Sequence, residues 1–296
     1  DLFEKDDHFG GHSYTFDIKQ ENKTIPVDLG FIVFNELTYP NLIKFFEELN
    51  VPFEKSNMSF SVSTENGKVE YGGSGLNSIF ADRFNIFNFK FLKMINEIVS
   101  FYKTAPFLLN KNLKDETLGK YLIRAKLSKY FINYHIIPMV AAIWSMPFSK
   151  AKEMPLKLFL NFFSNHGLFK LKNRPQWFTV ANRSKTYVNK ILSKISGEYF
   201  KNYEINKIIR GKNGVQIYYG SESEFFNYDK VVLASHADES LKIISDISDK
   251  EKKILSNFKY KPNKAVIHSD ESVMPKNKNA WCSWNSSLSP SNNENS

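Results

Sequence analysis

The first fifteen residues, DLFEKDDHFGGHSYT, carry the groups with the clearest chemical use. Residues 1–3 have the character of the end of a buried strand, and Glu4 stands at its tip. A carboxylate just beyond the second strand of a βαβ unit can accept hydrogen bonds from both ribose hydroxyls of an adenine dinucleotide. Gly10 and Gly11 leave the backbone open, so their N–H groups can bond to a pyrophosphate. The alternative is a solvated strand end followed by an ordinary turn.

A second glycine element lies in the stretch VDLGFIVFN (27–35), where Asp28 and Gly30 precede an apolar run. A glycine at this place permits close approach of the backbone to a planar ring. A strand that ends in a glycine turn is the equally good alternative.

These two elements resemble the flavin-containing amine oxidoreductases, in which a strand ending in Glu leads to a Gly-Gly-Arg element. Here His12 follows the glycine pair, as in an uncharacterised bacterial branch of predicted NAD/FAD-binding proteins. Later segments resemble the same branch in the same order: 80–85, 137–145, 177–188 and 265–285. In the third of these segments, Asn182 and Arg183 replace the glycine pair of the family.

The resemblance implies FAD as cofactor and hydride transfer to flavin from a substrate C–H, in an amine or a hydrophobic, lipid- or isoprenoid-like molecule. Glu4 would hold the ribose, the turn at 10–13 the pyrophosphate, the backbone at 30–33 the flavin ring, and Ile205 the adenine edge. The implied cofactor-binding residues are Glu4, Gly10, Gly11, His12, Ser13, Gly30, Phe31, Ile32, Val33 and Ile205. No residue stands out as a catalytic base, which fits chemistry that the cofactor performs.

The implied fold is α/β: an FAD-binding, Rossmann-like domain of amine-oxidase type, interrupted by a substrate domain of mixed sheet and helices. The FAD-binding parts are expected at 1–50 and 177–240, and the substrate parts at 51–176 and 241–285. The polar, Asn/Ser-rich tail 286–296 is expected to be disordered. No G-x-G-x-x-G turn precedes Glu4, and the family continues beyond 285, so we interpret the chain as a fragment truncated at both ends.

Periodicity predicts the elements that position these groups. Alternating residues predict hairpins at 14–27 and 58–71, the second with an Asn66-Gly67 turn. Helical spacing predicts helices at 40–49, 76–106, 117–134 and 155–166, with the phenylalanine stripe as core. Further strands are expected at 204–208, 214–218, 230–234, 265–270 and 280–285, and 230–234 is a buried run typical of a parallel sheet.

Three segments allow two interpretations each. Residues 131–148 form an uncharged run of 18 residues, but it contains two prolines, so a buried, kinked helix is favoured over a membrane span. The glycine-rich 71–75 lacks the Gly-Lys-Ser/Thr of a P-loop and is expected to be a flexible turn. At 235–238, His236 could transfer a proton, but a helix entry capped by Asp238 is favoured.

Composition and charge restrict the classes of function that this chain could have. With 296 residues, 42% of them hydrophobic, the chain can bury a large core. Its formal net charge is +9, but the basic residues are dispersed, which argues against nucleic acid and leaves contact with an anionic membrane surface open. Cys282 is the single cysteine and the six histidines lack ligand spacing, so no disulfide and no metal are expected.

A reducing, cytoplasmic setting fits the single cysteine. The expected partner is a small, hydrophobic substrate. Two alternatives to the oxidoreductase remain. One is a flavin-dependent isomerase without net redox change, and the other is a non-catalytic module that binds membranes or nucleic acid.

Overall fold

The computed structural model describes residues 1–64, 67–113, 115–220 and 224–288. They divide into two compact units. The first unit comprises Asp1–Ile32, Glu48–Val51 and Val180–Ala265. The second unit comprises Val33–Glu47, Pro52–Thr179 and the described residues from Val266 on.

Thirteen strands lie in the described part of the chain. They are β1 (Leu2–Phe3), β2 (Thr15–Gln20), β3 (Lys23–Asp28), β4 (Phe34–Asn35), β5 (Phe53–Ser56), β6 (Phe60–Thr64), β7 (Glu70–Gly72), β8 (Trp177–Val180), β9 (Tyr199–Phe200), β10 (Ile205–Gly211), β11 (Gly214–Tyr219), β12 (Phe225–Tyr228) and β13 (Trp284–Leu288).

Eleven α-helices accompany them in the same described ranges. They are α1 (Pro40–Glu48), α2 (Leu76–Ile79), α3 (Phe89–Thr104), α4 (Leu118–Arg124), α5 (Lys129–Phe131), α6 (Ile137–Trp144), α7 (Phe148–Glu153), α8 (Leu156–Asn165), α9 (Lys185–Leu192), α10 (Ala237–Ile243) and α11 (Asp249–Leu255). A π-helical turn spans Ile132–Ile136, and 3-10 turns span Arg83–Phe87, Ala105–Asn110, Glu271–Val273 and Lys278–Ala280.

The first unit contains three small sheets. β1 pairs with β9 in parallel, β2 and β3 form an antiparallel hairpin, and β10, β11 and β12 form an antiparallel sheet. Aromatic rings join two of these sheets: Phe3 stacks on Phe200 with 4.8 Å between the ring centroids and lies 5.3 Å from Phe226. These contacts fix the end of β1, which carries Glu4.

The second unit contains two three-stranded sheets, in the orders β13-β6-β7 and β4-β8-β5, together with helices α1 to α8. Phenylalanines of three helices, α3, α5 and α8, form part of its core. Phe91, Phe101, Phe131, Phe159 and Phe163 are all buried. This confirms the prediction that the phenylalanine stripe between 76 and 166 is mainly core.

The predicted hairpins and helices are confirmed by β2–β3, β6–β7, α1, α3, α4 and α8. The uncharged run 131–148 is a broken helix, as expected. It continues from α5 through the π turn into α6, which ends where Ser145 adopts a φ of 47°. Among the described residues, no helix combines the length and apolar character needed to cross a bilayer. In the predicted Asn66-Gly67 turn, Asn66 lies outside the described residues, while Gly67 has a φ of 69°.

Two predicted strands are wrong. Residues 230–234 are not in a strand, and Val232 is 90% exposed. A strand needs a neighbour to pair its backbone groups, and no described residue pairs with this run. Residues 265–270 are also outside any strand. The tail prediction is wrong at 286–288, which belong to β13 because they pair in parallel with β6; residues 289–296 lie outside the described residues.

The two units differ from the expected domain boundaries at two longer stretches, 33–47 and 241–265, besides residues 51 and 177–179. Residues 33–47 group with the second unit, where β4 pairs with β8. Residues 241–265 group with the first unit, because the Ser245 N–H donates to the Ile208 carbonyl at 3.0 Å and so ties the end of α10 to β10.

Candidate functional site

The loop between β1 and β2 forms a tight turn with both glycines in the left-handed region. The φ of Gly10 is 117° and that of Gly11 is 53°. The Ser13 N–H donates to the Gly10 carbonyl at 2.8 Å and closes the turn. A Cβ at position 10 would lie 2.8 Å from the Ser13 carbonyl oxygen, whereas a Cβ at position 11 would meet nothing within 4 Å. The turn itself therefore requires Gly10, while the space beside Gly11 is open.

The backbone N–H groups of Gly11 and His12 are available to a ligand. Both residues are exposed, and neither N–H donates to another described residue. Successive N–H groups in such a turn form a concavity that binds anions. The turn therefore fits the pyrophosphate of a dinucleotide.

Glu4 is held firmly at the end of β1. Its N–H donates to the Phe200 carbonyl at 2.8 Å, and its carbonyl accepts the Tyr203 N–H at 2.9 Å. On the side chain, Oε1 accepts the Asp6 N–H at 3.0 Å, and Oε2 accepts no hydrogen bond from the described residues. One carboxylate oxygen thus orders the loop, and the other fits a ribose hydroxyl.

Ser13 links the turn to α9. The Tyr187 hydroxyl donates to Ser13 Oγ. Burial raises the pKa of Tyr187, so its hydroxyl stays protonated as a donor. Ser13 also lines a cleft of about 260 Å³, together with Lys185 and Lys201. Its N–H and one Oγ lone pair serve the fold, which leaves the Oγ proton for a ligand.

Gly30 contacts the chain's own backbone. A Cβ on it would lie 1.9 Å from the His12 carbonyl oxygen, which also accepts the Phe31 N–H at 2.8 Å. From the sequence, we expected this glycine to let the backbone approach a flavin ring. The close contact with the His12 carbonyl is by itself enough to require glycine at this position. Phe31 is half-buried and Ile32 is exposed, whereas Val33 is the first residue of the second unit.

Replacement of Gly30 by alanine is expected to destabilise the chain by about 2–3 kcal/mol, because the new methyl group forces the His12 carbonyl to move. Urea unfolding, followed by tryptophan fluorescence, measures the loss. The control is Gly11→Ala, whose methyl group has room and adds left-handed strain of about 1–2 kcal/mol. Equal losses in the two variants would contradict a steric role for Gly30.

Asp28 is the main polar anchor of this region. Its buried carboxylate accepts the Thr15 hydroxyl at 2.6 Å, the Ser184 hydroxyl at 2.8 Å, and the Ser184 N–H at 3.0 Å. The Lys185 N–H, at the first residue of α9, donates to Thr15 Oγ1 at 2.9 Å. The N–H groups of Ser184 and Lys185 at this helix start are therefore not available to an external anion, because the β2–β3 hairpin already uses them.

Asn182 and Arg183, which stand where the family has a glycine pair, both adopt a backbone conformation that glycine adopts easily. Their φ angles are 60° and 75°, in the left-handed region that glycine adopts easily. Arg183 Nε also donates to the Pro26 carbonyl at 3.2 Å.

His236 lies beside the glycine turn, a grouping that the sequence did not reveal. Its ring centroid is 5.5 Å from that of His12, and it stacks on Tyr260 at 4.3 Å. The predicted cap by Asp238 is wrong: α10 has no side-chain cap, and Asp238 Oδ1 has no hydrogen-bond partner in the described chain. The two imidazoles are 224 positions apart, so only the fold could show their proximity.

Ile205, expected beside the adenine, is the first residue of β10. It stands opposite Tyr219 of β11, just before a bulge in the strand. β10 is an edge strand of its sheet. An edge position leaves backbone groups that can pair with a planar ligand.

The second unit contains a buried polar network around His135 of the π turn. The Tyr71 hydroxyl lies 2.8 Å from Nδ1, and the Tyr102 hydroxyl lies 2.9 Å from Nε2. Tyr71 also donates its proton to the Tyr134 carbonyl at 2.9 Å. The hydrogen-bond pattern thus assigns the ring proton to Nδ1, which donates to Tyr71, while Tyr102 donates to Nε2.

Burial lowers the pKa of His135 to about 3 and raises the pKa of Tyr71 and of Tyr102. All three side chains are therefore neutral at ordinary pH, and their hydrogen-bonding groups are satisfied. This arrangement stabilises the core of the second unit and does not provide an acid or a base.

A family model described as flavin containing amine oxidoreductase matches residues 1–292. No curated protein sequence matches the chain. The fold is similar to cyclohexylamine oxidase from Brevibacterium oxydans IH-35A, with a TM-score of 0.60 and 14% identity over 86% of this chain and 56% of that one.

Wild-type putrescine oxidase bound to putrescine has a TM-score of 0.59 and 13% identity, over 86% of this chain and 57% of that one. A CLA-producing fatty acid isomerase from P. acnes has a TM-score of 0.55 and 12% identity, over 86% of this chain and 56% of that one. The chain spans little more than half the length of these structures. The predicted α/β fold of amine-oxidase type is confirmed.

Proposed function

The chain belongs to the flavin-containing amine oxidoreductases, and from that premise we propose that it serves FAD-dependent oxidoreduction, with transfer of hydride from a substrate C–H. The observation that carries the proposal is the open turn at Gly11 and His12, next to the strand end that holds Glu4. Free N–H groups and a free carboxylate oxygen are what a dinucleotide requires at its pyrophosphate and ribose.

Each group in the first unit has a distinct proposed role. Oε2 of Glu4 would accept a ribose hydroxyl, and the Gly11 and His12 N–H groups would bind the pyrophosphate. The Ser13 hydroxyl would donate its proton to the same phosphates. The backbone at 30–32 would hold the ring system, and the edge of β10 at Ile205 would hold the adenine.

When bound, FAD supplies the hydride acceptor, and the residues of this chain bind and orient it. We propose a hydrophobic amine or a lipid-like molecule as substrate. The names of two similar structures, cyclohexylamine oxidase and putrescine oxidase, support an amine. The apolar, phenylalanine-rich second unit supports a hydrophobic one.

Redox-neutral isomerisation is the second candidate, favoured by the similarity to a fatty acid isomerase. The two functions differ in their need for an electron acceptor. An oxidoreductase consumes one equivalent of acceptor per turnover, whereas an isomerase restores its flavin within each cycle. Substrate turnover without acceptor consumption would therefore select the isomerase.

A titration of the chain with FAD, followed by quenching of flavin fluorescence, tests the cofactor site. Glu4→Gln is expected to weaken FAD binding by about tenfold, because it removes a charge-assisted hydrogen bond to the ribose. Glu21→Gln is the control, since it makes the same change at an exposed carboxylate that does not line the cleft beside Ser13. No binding by the unmodified chain, or equal weakening in both variants, would overturn this assignment.

A further inference from the structure

A cluster of phenylalanines on the second unit is turned toward solvent. Phe84 is 83% exposed, Phe87 80% and Phe89 86%. Ile86 and Leu76 are exposed in the same segment. Several large apolar side chains exposed within one short segment, 76–89, indicate an interaction surface. We call this set of five residues the aromatic patch.

The backbone holds the aromatic patch in this orientation. Asp82 caps the 3-10 turn Arg83–Phe87 by accepting the Phe84 N–H at 3.0 Å. Asn88 caps α3 by accepting the Lys90 N–H at 3.1 Å. Because both caps fix their turns, the phenylalanines are presented outward by ordered structure.

Other residues of the same segment are buried, so the exposure of the aromatic patch is not a property of the whole segment. Asn85 and Phe91 are buried, although they lie next in sequence to exposed members of the segment. The turn thus buries an amide and exposes phenyl rings, the reverse of what burial of apolar area favours. An apolar partner outside the chain would recover that area.

The charge around the aromatic patch identifies the chemistry of the partner. Arg83, Lys90 and Lys93, which lie within or just after the segment 76–89 in sequence, are exposed. Between 76 and 93 the single acidic residue is Asp82, whose carboxylate is engaged in the cap. Exposed basic side chains beside exposed apolar ones are complementary to a surface with an apolar interior and anionic groups at its edge.

We infer that the aromatic patch binds the surface of a membrane that contains anionic lipids, with its phenyl rings among the acyl chains and its basic side chains at the headgroups. Leu76 and Ile86 distinguish this partner from single-stranded nucleic acid, because aliphatic side chains gain little from stacking on bases but gain from hydrocarbon. The formal net charge of +9 adds attraction to the same surface.

Cosedimentation with vesicles tests the inference. The chain is expected to bind vesicles of phosphatidylcholine with phosphatidylserine, to bind phosphatidylcholine alone more weakly, and to release at high salt. The triple variant Phe84→Ser, Phe87→Ser, Phe89→Ser is expected to bind at least about tenfold more weakly. Phe107→Ser is the matched control, because Phe107 is also exposed, at 68%, but lies outside the aromatic patch.

Circular dichroism confirms that each variant is folded before its binding is compared. Absence of vesicle binding by the unmodified chain would overturn the inference, as would equal binding by the triple variant and the control. Two other results would also overturn it: loss of oligonucleotide binding in the triple variant without any effect on vesicles, or self-association that only the triple variant abolishes. None of these readouts depends on FAD, so they are independent of the proposed function.

Discussion

Replacement of Asp28 by alanine is expected to lower the free energy of unfolding by about 3 kcal/mol. The buried carboxylate accepts three different donors, from Thr15 and from both the backbone and the side chain of Ser184. Alanine would leave the buried Ser184 N–H without its acceptor and would remove both hydrogen bonds from Ser184, which precedes α9, to the β2–β3 hairpin. Urea unfolding at neutral pH, followed by circular dichroism, measures the loss.

Asp17→Ala is the matched control, because Asp17 lies in the same hairpin and pairs with Lys185 of the same helix at 2.6 Å. That ion pair is well exposed, so its loss is expected to cost no more than about 1 kcal/mol. The loss of stability in Asp28→Asn should lie between the losses in these two variants, because the amide keeps one acceptor oxygen but loses the charge. A loss in Asp28→Ala no larger than in Asp17→Ala would show that the buried contacts do not anchor the hairpin.

Acidification is expected to destabilise the second unit through His135. The folded protein binds a proton on this imidazole only near a pKa of about 3, whereas an ordinary histidine binds one near 6.5. The unfolded state therefore binds more protons between these values, and stability falls as the pH decreases through that window. The slope is about 1.4 kcal/mol per pH unit, or about 3 kcal/mol between pH 6 and pH 4.

The comparison is between the unmodified chain and His135→Gln, with urea unfolding at several pH values from about 7 to about 4. Glutamine can donate and accept but does not titrate, so the variant should be less stable at neutral pH and lack this part of the slope. His166→Gln is the control, since His166 is only half-buried and contacts the Phe162 carbonyl. If His135→Gln kept the full pH dependence, the loss in acid would have another origin.

Local patterns were sufficient for the elements whose contacts are close in sequence. The β2–β3 hairpin, α1 and the glycine turn after β1 were all predicted, because each depends on alternation, helical spacing or left-handed glycines within a few residues. Glu4 was placed correctly at the end of β1 for the same reason. Its cofactor role remains a prediction.

Contacts between distant parts of the chain explain what the sequence did not reveal. The carboxylate of Asp28 meets Ser184 across 156 positions, and the apolar run 230–234 has the composition of a strand without a pairing neighbour. Gly30 was noticed, but its contact with the His12 backbone could not be inferred from composition. At Phe84 a local pattern failed. Helical periodicity predicted that this side chain is buried in a core, whereas the capped 3-10 turn exposes it.

The contacts behind the glycine turn also affect the entropy of ligand binding. The backbone of His12 rests against Gly30, the Ser13 N–H closes the turn, and Tyr187 holds the Ser13 hydroxyl. The chain therefore loses the conformational freedom of this loop when it folds, before any dinucleotide arrives. A ligand that meets such a preorganised turn retains more of its contact energy as affinity, because little ordering is left for binding to accomplish.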